Sequence, residues 1–93
     1  MLIQTFSDDV NTSQTMHPVL VVDDSRAHRR LLSRSLQKWG YDVIEADSGE
    51  AGLEICRSSP IELVVSDWMM PGMSGIEFCR AFRALVKGRA AYF

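Results

Sequence analysis

The sequence has little of the material from which several protein classes are built. No apolar run approaches the roughly 20 residues of a membrane span, and the N-terminus lacks the charged start and apolar core of an export signal. A formal net charge of −2 argues against a general nucleic-acid binder. There is no internal repeat or low-complexity segment. We therefore expect a cytoplasmic, single-domain protein that binds neither membrane nor nucleic acid.

Cysteine is scarce too, and the basic residues are not arranged as a binding groove. Cys56 and Cys79 show no C-x-x-C spacing, so we expect buried, reduced thiols rather than a disulfide or a metal site. The only clustered basic residues lie on one predicted helix and are interpreted as a solvated face: Arg26, Arg29, Arg30 and Arg34. We interpret His28, on the same helix, as a surface residue and not as a ligand.

Three apolar segments alternate with three segments of helical spacing. The predicted strands are residues 19–22, 41–46 and 61–66. The first predicted helix is capped by Asp24 or Ser25 and runs to about Trp39, with Gly40 as its stop, and the second is capped by Asp47 or Ser48 and ends at residues 58–60. The third begins at a capping box formed by Ser74 and Glu77 and runs to about Lys87. The first strand is apolar on both faces, as a central parallel strand should be, and the second suits an edge. The first helix is predicted to bury one apolar stripe, consisting of Ala27, Leu31, Leu32, Leu36 and Trp39. Right-handed crossovers then give a three-layer α/β fold with helices on both faces of a parallel sheet.

The two ends of the chain are interpreted separately from this body. Residues 1–17 are polar and show no sustained period, which predicts a flexible leader before a domain at residues 18–93. The alternative is that Ile3 and Phe6 dock on the body of the domain. Gly88 is predicted to close the third helix, and residues 90–93 to open a fourth strand as a stub.

Acidic residues follow two of the predicted strands. Asp23 and Asp24 end the first apolar run, and Asp67 ends the third. If these strands are parallel neighbours, their tips lie about 5 Å apart. Three carboxylates at one spot repel each other unless they are protonated or hold a cation, and an all-oxygen site suits Mg²⁺. We therefore expect a magnesium site at the carboxyl edge of the sheet.

The motifs VLVVDDS and VVSDWMMPGMSG, with the spacing between them, resemble the receiver domains of two-component response regulators. The resemblance covers residues 18–93 and implies a flavodoxin-like sheet of strand order 2-1-3. By it, Asp67 is the phosphoacceptor, Asp23 and Asp24 are acids of the Mg²⁺ site, and the Met69 backbone carbonyl completes the metal shell. It also implies a histidine kinase or phosphotransfer protein as partner, and a signalling domain rather than an enzyme.

Two features of the family have no counterpart before Phe93. A complete receiver adds a Ser or Thr at the tip of strand four and a Lys at the tip of strand five, and losing one such preorganised donor costs about 10² to 10³ in rate. The third strand would also have a bare apolar edge, which predicts either a homo-oligomer formed by edge pairing or strand exchange, or a fragment of a longer protein. The alternative to a working receiver is a truncated, receiver-like interaction module that is not productively phosphorylated.

Three other interpretations are weaker. An aspartyl phosphatase of the haloacid dehalogenase type carries the motif D-x-D-x-T at its first strand, whereas the two acids of this chain are adjacent. Dinucleotide binding requires G-x-G-x-x-G where this chain reads DDSRAHRR. The methionines Met69, Met70 and Met73 are better explained by loop packing than by a soft-metal site.

Overall fold

The computed structural model describes residues 2–5 and 18–90 of the chain. The elements are β1 (Leu2–Thr5), β2 (Val19–Val22), α1 (Arg26–Lys38), β3 (Val43–Ala46), α2 (Gly49–Ser58), β4 (Leu63–Ser66) and α3 (Gly75–Ala90). β2 lies between β3 and β4 and is parallel to both. The predicted order 2-1-3 of the three parallel strands is therefore confirmed, although β3 and β4 begin two residues later than expected.

Helices cover both faces of this sheet. Leu20, Val22 and Val64 point to one face, where they join a buried cluster with Phe78 and Phe82 of α3. That cluster also takes in Leu53 and Cys56 of α2, and the alternate strand residues Val19, Val21 and Val65 pack on the other face against Leu32 and Leu36 of α1. Because successive strand residues point to opposite faces, β2 is buried on both, and the three-layer prediction is confirmed.

The buried stripe of α1 is only partly the one predicted. Leu32 and Leu36 pack on the sheet, but Leu31 is 65% exposed, Trp39 is 82% exposed and Ala27 is exposed. The remaining inward positions hold polar residues, since Ser33 is buried and Arg29 is largely covered. Residues 29, 32, 33 and 36 follow the i, i+3, i+4, i+7 pattern. A prediction from apolar residues alone therefore included exposed positions of this helix and missed the two buried polar positions.

The helix ends follow local chemistry. Ser25 caps α1, Ser48 caps α2, and Ser74 with Glu77 forms the predicted capping box of α3. Gly40, with φ 92°, follows the end of α1 and adopts the left-handed conformation that suits glycine. The predicted end of the third helix is wrong, because α3 continues through Gly88 to Ala90. Residues 91–93 of the expected strand stub lie outside the described residues.

The N-terminal segment differs from the expected leader. β1 pairs antiparallel with β4, in a register that runs from Leu2 opposite Ser66 to Thr5 opposite Leu63. Without β1, the N–H and C=O groups along this edge of β4 would have no main-chain partner. β1 pairs there because an open strand edge favours pairing with an extended segment. The edge predicted to be bare is therefore covered. Residues 1 and 6–17 lie outside the described residues, and the homo-oligomer stays a prediction.

Two further expectations concern the helices. Cys56 and Cys79 are both buried and neither is part of a disulfide, as predicted, and burial raises the pKa of Cys79. In the ranges that the structure describes, the helices fall short of the length and apolarity that crossing a bilayer requires.

Candidate metal centre

The parallel register aligns the acidic ends of β2 and β4. Val22 lies opposite Ser66, and the next N–H along β4, that of Asp67, donates to the Val22 carbonyl at 2.9 Å. Asp23 and Asp67 therefore leave the sheet side by side. This is the carboxyl edge of a parallel sheet, where the helices leave a crevice.

The structure brings the three predicted carboxylates together. One oxygen from each of Asp23, Asp24 and Asp67 lies within 4.8 Å of the other two. Asp23 is fully buried, Asp67 is half-buried and Asp24 is exposed. The cluster thus extends from the protein interior to the solvent, and a small ion can reach it from the Asp24 side.

Asp23 is held at every polar atom. Its Oδ1 accepts from the Ser25 N–H at 2.9 Å, and its Oδ2 contacts Nδ1 of His28. Its own N–H donates to the Ala46 carbonyl at 3.1 Å, and its carbonyl accepts from Nη1 of Arg29 at 2.8 Å. A buried carboxylate requires such donors, because burial without them costs several kcal/mol. Asp23 is consequently fixed relative to both α1 and β3.

His28 is exposed, as expected of a surface residue, and lies outside the carboxylate cluster, but its side chain also contacts one acid of that cluster. Its side chain is about half exposed, yet Nδ1 contacts the buried carboxylate of Asp23. Ser25 caps the helix by accepting from the His28 N–H at 3.3 Å, which fixes His28 at the third helical position. Side chains in the first turn point back toward the helix start. The cap motif next to the acids was therefore the signal that sequence reasoning overlooked.

Arg29 also departs from the predicted solvated face. Its side chain is only 14% exposed, and its Nε donates to Oε1 of Glu45 on β3 at 2.9 Å. The other three arginines of that group, Arg26, Arg30 and Arg34, are exposed as expected. Since Arg29 bonds Glu45 and the Asp23 carbonyl at once, it ties the acidic edge to the neighbouring strand.

Asp67 begins the loop between β4 and α3. Its Oδ1 accepts from the Trp68 N–H at 2.9 Å, and its carbonyl accepts from the Ser66 hydroxyl at 3.0 Å. The Gly75 N–H donates to the Trp68 carbonyl at 3.0 Å, so the loop is closed on itself. Ser66 is buried, and because it directly precedes Asp67 its side chain points to the opposite face of the sheet. Met69 is exposed, and the role of its main-chain carbonyl as a ligand of the metal stays a prediction.

Two of the three methionines of this loop pack against the core, whereas Met69 is 82% exposed. Met70 is buried in the larger core cluster, and Met73 packs against that cluster. The Met73 side chain also packs closely on Gly49, because a Cβ added at Gly49 would lie only 2.9 Å from the Met73 sulfur. Loop packing, the interpretation favoured from the sequence, accounts for both.

The donor set fits a small, hard cation. Three carboxylate oxygens offer only hard ligands, and carboxylates this close repel one another unless a positive charge lies between them. Mg²⁺ is commonly bound by one or two carboxylates with open positions left for phosphate oxygens. The residues present therefore fit Mg²⁺.

Comparison with known proteins identifies the family. Residues 19–89 match the sequence model of the response regulator receiver domain. The chain belongs to that family. It is 40% identical over 67 residues to the chemotaxis protein CheY of Pseudomonas aeruginosa, covering 71% of this chain and 54% of CheY. It is 47% identical over 66 residues to the virulence sensor protein BvgS of Bordetella pertussis, covering 71% of this chain and 5% of BvgS.

Solved receiver structures share the fold. Vibrio cholerae CheY4 superposes with a TM-score of 0.74 at 36% identity, covering 81% of this chain and 62% of that one. TrrA of Thermotoga maritima, solved in complex with Mg²⁺-BeF, superposes with a TM-score of 0.74 at 40% identity, covering 77% of this chain and 63% of that one. The receiver-domain prediction is confirmed. The chain spans about half of the CheY relative and less than two thirds of either structure.

Proposed function

We propose that this receiver domain accepts a phosphoryl group on Asp67 in a two-component phosphorelay, with Mg²⁺ as cofactor and a histidine kinase or phosphotransfer protein as donor. The observation that carries the proposal is the cluster of Asp23, Asp24 and Asp67 at the carboxyl edge of a receiver fold. The Mg²⁺-BeF complex of TrrA supports the choice of cation. In this proposal the domain acts in the cytoplasm as a phosphorylated signal carrier, and not as an enzyme with an external substrate.

The transfer requires one free carboxylate oxygen on Asp67. Because Oδ1 accepts from the Trp68 N–H, Oδ2 is the oxygen that attacks phosphorus. A new O–P bond forms as the P–N bond of the donor phosphohistidine breaks, and the imidazole nitrogen keeps the electron pair of that bond. The loop that Gly75 closes keeps Trp68 in place, so the carboxylate cannot rotate freely.

Asp23, Asp24 and Asp67 would hold the cation, together with the Met69 carbonyl. When bound, Mg²⁺ neutralises charge on the phosphoryl oxygens. Asp23 contributes a carboxylate that is already oriented, and Asp24 contributes one that faces the solvent. Asp67 would help to hold the cation and would also accept the phosphoryl group.

The second candidate is an interaction module that is not productively phosphorylated. It is favoured by two exposed apolar side chains, Leu31 on α1 and Trp39 just after it, which are 65% and 82% exposed. Contiguous exposed apolar surface is a common feature of protein-binding sites. The two candidates differ in whether Asp67 becomes phosphorylated.

Incubation with acetyl phosphate and Mg²⁺, followed by intact mass measurement, tests the proposal. We expect one phosphoryl group on the wild-type chain and none on Asp67→Asn. Asp47→Asn is the matched control, because Asp47 also follows a strand of the sheet and is exposed, yet lies outside the carboxylate cluster. Phosphorylated Asp67→Asn would show that the acceptor is misassigned. A wild-type chain that binds Mg²⁺ but takes no phosphoryl group would favour the interaction module.

A further inference from the structure

We propose that His28 is a positioning residue of the metal centre, which holds the Asp23 carboxylate in the orientation that binding of a divalent cation requires. The proposal rests on the proposed function, because it takes the carboxylate cluster to be a Mg²⁺ site. It concerns a residue outside that cluster, since His28 touches Asp23 without lying within reach of all three carboxylates.

The His28 contact controls an oxygen that no other side chain holds. Within the described residues, Oδ1 of Asp23 accepts from a main-chain N–H, that of Ser25, and Oδ2 contacts the His28 ring. A carboxylate that binds a cation can only accept hydrogen bonds, so the proposal requires the hydrogen on Nδ1 of His28. Without the ring, Asp23 keeps one donor and can rotate about its side-chain bonds.

The ring itself is positioned by the start of α1. The His28 N–H donates to Oγ of Ser25, and Arg29, the next residue, donates to the Asp23 carbonyl. These two hydrogen bonds fix the main chain around His28 relative to Asp23. The imidazole is therefore held within reach of Oδ2. Ligating carboxylates and histidines in metal sites are commonly oriented by such outer hydrogen bonds.

Removing an outer hydrogen bond of this kind typically weakens metal binding by about 10- to 100-fold. We therefore expect His28→Leu to weaken Mg²⁺ binding by about that factor. His28→Asn should stay close to wild type, because an asparagine amide can place an N–H near the position of Nδ1. Gln37→Leu is the matched control, since it introduces the same side chain at an exposed position of the same helix.

The measurement is a Mg²⁺ titration followed by Trp68 fluorescence in a Trp39→Phe background, which leaves one tryptophan, beside Asp67. Urea unfolding without Mg²⁺ checks that the variants fold. Nitrogen-15 NMR of the wild-type chain gives a readout independent of metal binding, and we expect the hydrogen on Nδ1 of His28. This NMR result and His28→Asn test the proposal even if His28→Leu does not fold.

Each outcome decides the question. Equal affinity in all variants, or His28→Asn as weak as His28→Leu, overturns the proposal, as does an NMR spectrum with Nδ1 bare. A wild-type chain that ignores Mg²⁺ overturns this proposal and the proposed function together. If affinities follow the expected order but Asp67 takes no phosphoryl group, the proposed function fails and the role of His28 stands.

Discussion

The Asp67 N–H donates to the Val22 carbonyl at 2.9 Å, so the parallel hydrogen-bond ladder between β2 and β4 extends beyond the last paired strand residues. The ladder sets the position of Asp67 relative to Asp23, which directly follows Val22. A one-residue shift in register would send one of these side chains to the opposite face of the sheet. The geometry of the acidic cluster therefore depends on the strand register as well as on the presence of the three acids.

Arg29→Met should destabilise the domain. It removes hydrogen bonds to Glu45 and to the Asp23 carbonyl, and leaves the partly buried Glu45 carboxylate with the longer contact to Arg30 at 3.8 Å. We expect a loss of about 1–3 kcal/mol in the free energy of unfolding, measured in urea. Arg34→Met is the control on the same helix, because Arg34 is exposed. Equal stability of the two variants would contradict the structural role of Arg29.

Gly52→Ala should also destabilise the domain, although alanine normally stabilises a helix relative to glycine by roughly 1 kcal/mol. A Cβ at Gly52 would lie 2.9 Å from the Phe78 ring and 3.1 Å from Cγ2 of Val22. Such overpacking typically costs about 1–3 kcal/mol. Thermal unfolding measures the sign. A more stable Gly52→Ala variant would mean that α2 and α3 do not pack as closely as described.

The capping box of α3 should make stability depend on pH. Hydrogen bonds from Ser74, the main-chain N–H first, lower the pKa of Glu77. A lowered pKa in the folded state stabilises the fold above the usual pKa of glutamate, and this contribution disappears as the pH falls through the folded value. Urea unfolding of wild type and Glu77→Gln should therefore differ at neutral pH and converge in acid. A difference that does not change with pH would contradict this account.

Ser74→Ala removes the other half of the box. The Ser74 hydroxyl accepts from the Glu77 N–H at 3.2 Å, and loss of such a cap costs about 0.5–2 kcal/mol. In a Ser74→Ala background, Glu77→Gln should have less effect than in the wild-type chain, because the two side chains act together. Additive effects would show that they act independently.

Deletion of residues 1–5 should promote self-association. β1 covers the β4 edge, and its removal exposes a row of unpaired main-chain groups. Sedimentation velocity over a range of concentrations measures the effect. We expect association to rise with concentration in the deletion variant more than in the intact chain. Identical behaviour of the two would show that β1 does not protect this edge.

The sequence predicts best where local chemistry decides the structure. The apolar run before Asp67, the serine caps and the glycine after α1 each act through near neighbours, and the strand and helix order follows from them. The proximity of Asp23 and Asp24 to Asp67 was predictable because neighbouring parallel strands end at the same edge of the sheet.

What the sequence did not predict depends on distant partners or on polar residues facing inward. Arg29 and Ser33 complete the buried stripe of α1, and a search for apolar periodicity excludes both. β1 is too short to stand out, and its partner β4 lies far along the chain. His28 becomes part of the acidic edge only once the Ser25 cap places its ring against Asp23.

The most direct test of the central claim is the position of the phosphoryl group after treatment with acetyl phosphate and Mg²⁺. Borohydride reduces an aspartyl phosphate to homoserine, which peptide mass spectrometry can assign to a residue. The proposed site predicts homoserine at position 67 alone, and only when Mg²⁺ is present. Homoserine at Asp23, Asp24 or Asp47, or an equal yield at position 67 in the presence of a chelator, would contradict it.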